Sequence, residues 1–88
     1  MAISTTYKVL YWKGIPSMIE AEDTTGDVVM EPMGDKFEAL IDAKAMALGI
    51  KGGDDYTDAF IYGDESQMSG DAETVIGQLK EKFELEFN

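Results

Sequence analysis

Apolar positions alternate in the first part of the chain. From Tyr7 to Lys13, the residues Tyr7, Val9 and Tyr11 interleave with Lys8, Leu10 and Trp12, and both sets are rich in strand formers. This predicts a central strand covered on at least one face. Gly14 and Pro16 end it in a turn. A second strand is predicted from about Met18 to Glu22, and Asp23-Thr24-Thr25-Gly26-Asp27 supplies a hairpin loop with the glycine such loops need. Val28 to Glu31 returns as a third strand. Pro32 cannot donate a ladder hydrogen bond, which places it at a strand end or a sheet edge.

The period then changes to that of a helix. Phe37, Leu40, Ile41, Ala45 and Leu48 share one face, Asp35 stands in the capping position with Glu38 three residues later, and Gly49 closes the segment. Lys51-Gly52-Gly53-Asp54-Asp55 reads as a flexible connection. Tyr56 to Tyr62 is predicted as a fourth strand with Tyr56, Phe60 and Tyr62 on one side. Asp58 shares that side, and a short helical turn is the alternative. Gly63 to Gly70 is polar and loop-like. Asp71 caps a last helix whose apolar face carries Ala72, Val75, Ile76, Leu79, Phe83 and Phe87. Phe83 to Phe87 also alternates with a strand's period, but Leu79, Phe83 and Phe87 continue the helical spacing without a breaker, so helix is expected to the end. The predicted order is β-β-β-α-β-α in a single domain over residues 1–88. Neither helix can bury its stripe alone. The expected architecture is therefore an α+β two-layer sandwich, a mixed four-stranded sheet with both helices on one face.

Composition adds mostly exclusions. The net charge is −11, every cation is a lysine, and histidine, arginine and cysteine are all absent. Disulfides and thiolate metal sites are impossible, so packing alone must hold the fold. Nucleophile–base pairs of the Ser-His or Cys-His kind cannot be built. Nucleic-acid binding is disfavoured, because affinity for a phosphate backbone comes from clustered cations. The opening residues have no basic start and no apolar run, and no stretch approaches the length of a membrane helix, so the cytoplasm is the expected location and a membrane is not an expected partner. The charge fits a soluble, self-repelling monomer or weak dimer, with a basic protein partner or a high-salt habitat as sharper readings.

Three motifs invite chemistry and fall short of it. Asp54, Asp58 and Glu65 match positions of a calcium loop, but Tyr56 and Ala59 stand where a ligand and a turn glycine are required. Gly49-Ile50-Lys51-Gly52-Gly53 is glycine-rich yet follows a helix and lacks the ending of a phosphate loop. Eighteen acidic residues make some carboxylate pair inevitable, so closeness in sequence says little. Asp42 is singled out because it borders the apolar stripe and could face the Tyr11-Trp12 strand, as a polar handle or as a hydrogen-bonded boundary residue. No metal or other cofactor is implied.

Tyr11-Trp12-Lys13-Gly14-Ile15-Pro16, followed by Phe37, Ile41-Asp42, Ala45-Met46, Gly49, Asp55-Tyr56 and Gly70-Asp71, resembles the pattern of the short bacterial "virulence factor" family over most of the chain from about Tyr7 onward. That family usually has arginine where this chain has Lys13, and positions in the hairpin and last helix that tend to be basic or alanine-rich there are acidic or neutral here. The family name implies a loose link to pathogenicity and no biochemical activity; related segments within larger proteins imply an interaction module.

The leading expectation is thus a non-catalytic protein-interaction or accessory module. Its contact surface is expected at the turn around Trp12 to Pro16, the neighbouring hairpin and one acidic face, with Trp12, Lys13, Ile15, Pro16 and Asp42 as candidate residues. For the Trp12 corner taken by itself, packing in the core is the first reading and interaction the second. On the interaction reading, Trp12→Ala or Pro16→Ala abolishes partner capture and leaves the fold intact. The alternative function is a small-molecule or cation-binding domain using carboxylates.

Overall fold

A computed structural model of the chain describes residues 2–87. The elements are β1 (Ser4–Trp12), β2 (Ile15–Asp23), β3 (Val28–Pro32), α1 (Asp35–Leu48), a short helix α2 (Asp54–Thr57), β4 (Phe60–Tyr62), β5 (Ser66–Ser69) and α3 (Ala72–Glu86). The fold is a small α+β domain. Its sheet runs β3-β2-β1-β4, with β5 also paired to β1. Every described pairing is antiparallel, where a mixed sheet was expected. The reason is local: β1, β2 and β3 are joined by tight hairpins, which allow no other sense.

The last lane of the sheet differs most from expectation. Tyr56 lies in helix α2, so the helical-turn alternative holds for the start of the predicted fourth strand, and only Phe60–Tyr62 is extended. The polar stretch after it contains β5. Strands β4 and β5 lie end to end along β1, with Tyr62 opposite Leu10 and Ser66 opposite Tyr7. Their registers differ by one residue, so Gly63 to Glu65 forms a bulge in what is otherwise one edge strand. Ser66-Gln67-Met68-Ser69 has weak strand character; the neighbouring backbone of β1 supplies the order that its side chains do not.

Alternation sorts the first two strands. Thr5, Val9, Ile19, Ala21 and Asp23 are buried on one face, with Thr5 opposite Asp23 and Val9 opposite Ile19. Helix α3 lies across this face, placing Ala72, Val75, Ile76, Leu79 and Phe83 in the core. Helix α1 adds Phe37, Ile41 and Ala45, and Phe37 meets Phe87 edge to face at 5.7 Å. The molecule is only 17 Å deep in its thinnest direction, the depth of one sheet and one layer of helices.

The caps differ between the two long helices. Asp71 caps α3 as predicted, its carboxylate accepting from the Thr74 N–H at 2.8 Å. Asp35 does not cap α1. Gly34 takes the capping position and no side chain bonds there, so the predicted capping box with Glu38 does not form. Asp35 and Glu38 instead lie in the first turn, where carboxylates favour the helix dipole.

Gly63 has a packing reason to be glycine. A Cβ at this position would stand 3.0 Å from the Tyr11 ring, which itself packs edge to face on Phe83 at 6.3 Å. Gly63→Ala therefore pushes a ring that has little room to move. The expected loss is about 1 kcal/mol or somewhat more, read as a lower denaturant midpoint at unchanged slope.

Candidate functional site

The structure turns the predicted contact corner inward. Trp12 is 0% exposed, Ile15 and Pro16 are buried, and only Lys13 of the four reaches solvent. The Trp12 indole N–H donates to the Tyr56 carbonyl at 2.9 Å, and the two rings sit 5.3 Å apart. A register shift at Leu10/Tyr11 breaks the alternation at this end, so that consecutive residues, Ile15 and Pro16, are both buried. Lys13 takes a left-handed backbone, φ 46°, to make the turn, and its carbonyl accepts from Lys44 Nζ at 2.6 Å. Asp42 is exposed on the outer side of α1 and does not meet the indole N–H, whose acceptor is Tyr56. The expectation that Trp12→Ala or Pro16→Ala would spare the fold is therefore corrected: these residues are part of what holds it.

The face of the sheet opposite α3 has a different character. Thr6, Lys8, Glu20, Glu22, Val28 and Met30 point to this side, and a groove of about 550 Å³ runs over them between Thr24 and Gln67. Across the strands, Lys8 stands opposite Glu20 and Glu20 opposite Met30, while Thr6 stands opposite Glu22 and Glu22 opposite Val28. Val28 is 65% and Met30 57% exposed, high values for apolar residues in a sheet. A polar cluster fixes the middle: Lys8 Nζ lies 3.5 Å from Glu20 and 4.3 Å from the centre of the Tyr62 ring, and the Tyr62 hydroxyl donates to Glu20 at 3.2 Å. The rim is acidic, with Glu22 and Glu65 both exposed.

One end of the groove rests on a structural carboxylate. Asp23 Oδ1 accepts from the Thr25 N–H at 2.9 Å, from the Thr25 hydroxyl, and from the Asp27 N–H at 3.2 Å. Its Oδ2 accepts from the Ala72 N–H at 3.1 Å, in the first turn of α3. Beside it the Thr5 hydroxyl donates to the Gly70 carbonyl at 2.7 Å. Thr25 bonding first, then the Ala72, Thr25 and Asp27 amides, hold the Asp23 carboxyl below the usual range against the opposing effect of burial. Thr74 does the same for Asp71. Burial, with the Glu86 and Tyr7 charges adding to it, pushes the Tyr11 hydroxyl up. These shifts trace to folding contacts, and none of the three groups faces a reacting partner. Among the described residues, no group of three or more acidic side chains is placed to hold a metal ion, and no helix is long and apolar enough to cross a membrane.

Lys8, Glu20, Glu22, Val28, Met30 and Tyr62 were not singled out in the sequence. The signal was present in part. Pro32 marks β3 as an edge, and Glu20 and Glu22 alternate with buried Ile19 and Ala21. What could not be read is that β3's apolar residues on this face go uncovered. Comparison with protein-family models, curated proteins and solved structures yields no match for the chain.

Proposed function

We propose that the chain is a non-catalytic protein-interaction module whose contact surface is the face of the sheet away from α3, and that its partner presents a basic segment. One observation carries this reading: Glu20 and Glu22 stand directly inside exposed Met30 and Val28 on the face of the sheet away from α3. An exposed apolar strip bordered by charge is a mark of a contact surface. The sign of the partner follows from the acidic rim and the net charge of −11, which steer cationic segments in and repel a second copy of this chain.

The residues behind the resemblance to the short "virulence factor" family do not bear on that surface. Trp12, Ile15, Pro16, Phe37, Ile41 and Ala45 are all buried, so what they share with the pattern concerns packing. The family reading stands as a proposal about fold, and the interaction reading rests on the sheet face. A second reading, a small-molecule site, is favoured by the size of the groove, which is within the range of about 300–1,000 Å³ typical of ligand pockets.

Selection of binders from a random peptide library separates the two. The interaction reading expects enriched sequences rich in lysine or arginine, and at least a tenfold loss of their affinity in the Glu20→Lys, Glu22→Lys double variant. Enrichment without a basic bias, or affinity indifferent to the double variant, contradicts it. The second reading expects instead that small neutral metabolites raise the unfolding midpoint.

A further inference from the structure

Resting on the interaction reading, we infer that the partner segment binds as an added strand along the free edge of β3, antiparallel or parallel to Val28–Glu31, with a basic residue at alternate positions. The edge is defined by register. The Met33 N–H donates to the Ser17 carbonyl at 2.9 Å, and Glu31 opposite Ile19 and Val29 opposite Ala21 lie in phase with that bond. In an antiparallel ladder the residues between them face away from the partner strand. The backbone N–H and C=O groups of Val28 and Met30 therefore point outward from the sheet. Pro32 falls in the same outward phase, where its missing N–H leaves no ladder bond unmade.

The two edges of the sheet are not equivalent. The edge opposite β3 is interrupted by the bulge between β4 and β5, which prevents continuous pairing. Strand β3 carries no lysine and no bulge, and its one carboxylate, Glu31, is held by Lys80 at 2.7 Å. Only its brevity and Pro32 guard it.

Charge identifies what fits there. Val28 and Met30 are two residues apart, as are Glu22 and Glu20 behind them, a repeat of about 6.8 Å along a strand. Lysines at alternate positions of an added strand have the same repeat. Their stems would lie over Val28 and Met30 and their ammonium groups would reach Glu22 and Glu20, the usual division of a lysine between apolar surface and charge. Main-chain bonds give such a strand its affinity and the alternate side chains its specificity.

The probe is an acetylated, amidated octapeptide of alternating lysine and valine, titrated by calorimetry and followed by amide exchange. The wild-type chain should bind it, and the Val28 and Met30 amides, fast-exchanging in the free protein, should become protected. Met30→Pro removes one outward N–H without breaking a bond to β2, and should weaken binding at least tenfold; Met30→Ala keeps the N–H and should weaken it less than threefold. The same peptide N-methylated at alternate residues should lose at least tenfold on the wild-type chain, which decides the matter even if Met30→Pro misfolds. Equal binding of plain and N-methylated peptides, with both lost in the Glu20→Lys, Glu22→Lys variant, overturns strand addition and leaves the interaction reading standing. No binding of the plain peptide, together with a library that enriches nothing basic, overturns both.

Discussion

Trp12→Ala is expected to leave a chain with no cooperative unfolding transition, or one barely above room temperature. The side chain is 0% exposed, packs on the Tyr56 ring, stands opposite Ile15 in the sheet, and bonds its indole N–H to the Tyr56 carbonyl. Truncating a buried tryptophan costs about 3–5 kcal/mol, against a total stability for small domains near the lower end of about 5–15 kcal/mol. Trp12→Phe keeps most of the bulk and removes the shorter of two bonds to the Tyr56 carbonyl, leaving the Ala59 N–H at 3.3 Å. It should fold, with a loss of about 1–3 kcal/mol. Urea melts of the two variants, followed by far-ultraviolet dichroism, check the ranking. A cooperative melt of Trp12→Ala close to wild type would show that the tryptophan is not a core residue and would restore the exposed-anchor reading.

Asp23→Ala is expected to give the next largest effect and to change how stability depends on pH. One carboxylate ties together the β2–β3 loop, through Thr25 and Asp27, and the start of α3, through Ala72. Removing it strands several N–H donors at once, and the melting midpoint should fall by about 10 °C or more. Hydrogen bonding lowers the folded carboxyl below its ordinary value. Its contribution is therefore complete above the unfolded value, near 4, and is lost as pH falls through the folded one. Wild type should lose stability below about pH 4, and the Asp23→Asn chain should show a shallower acid limb. The check is a set of thermal melts at falling pH. Parallel acid limbs in the two proteins would contradict the assignment.

How far the sequence carried depended on the range of the forces involved. The hairpins, most of each helix face and the Asp71 cap are governed by neighbours in the chain and were legible, as was the helical reading of the last segment, which runs to Glu86; Pro16, however, lies in β2 rather than in the turn, and Leu48 is exposed. The edge position of Pro32 was legible too, because proline's missing donor is a property of one residue. Strand β5 was not, because its order comes from β1, some sixty residues earlier in the chain. Asp23 could be seen as a loop aspartate suited to bonding its own backbone, but its bond to Ala72 crosses 49 residues and leaves no local mark. Trp12 beside a proline was open to core packing and to an exposed anchor, and it packs in the core. Its burial follows from the register shift and from Tyr56, which the short helix α2 brings up against it.

The candidate surface was anticipated only as a hairpin and an acidic face, without its residues, for a related reason. A strand with apolar residues on both faces reads as buried, and Val28 to Glu31 gives no sign that one face is left open. Only the placement of α3 on the other side reveals it. The acidic composition offered a basic partner as one of its readings; Glu20 and Glu22 are the carboxylates that back the exposed apolar edge.

Chemical-shift mapping with the lysine–valine octapeptide tests the location of the contact surface most directly. The largest amide shifts should cluster on Lys8, Glu20, Glu22, Val28 and Met30, and should shrink as salt is raised. Largest shifts on the outer side of α1, around Asp42 and Met46, would place the contact on the wrong side of the molecule and contradict the account.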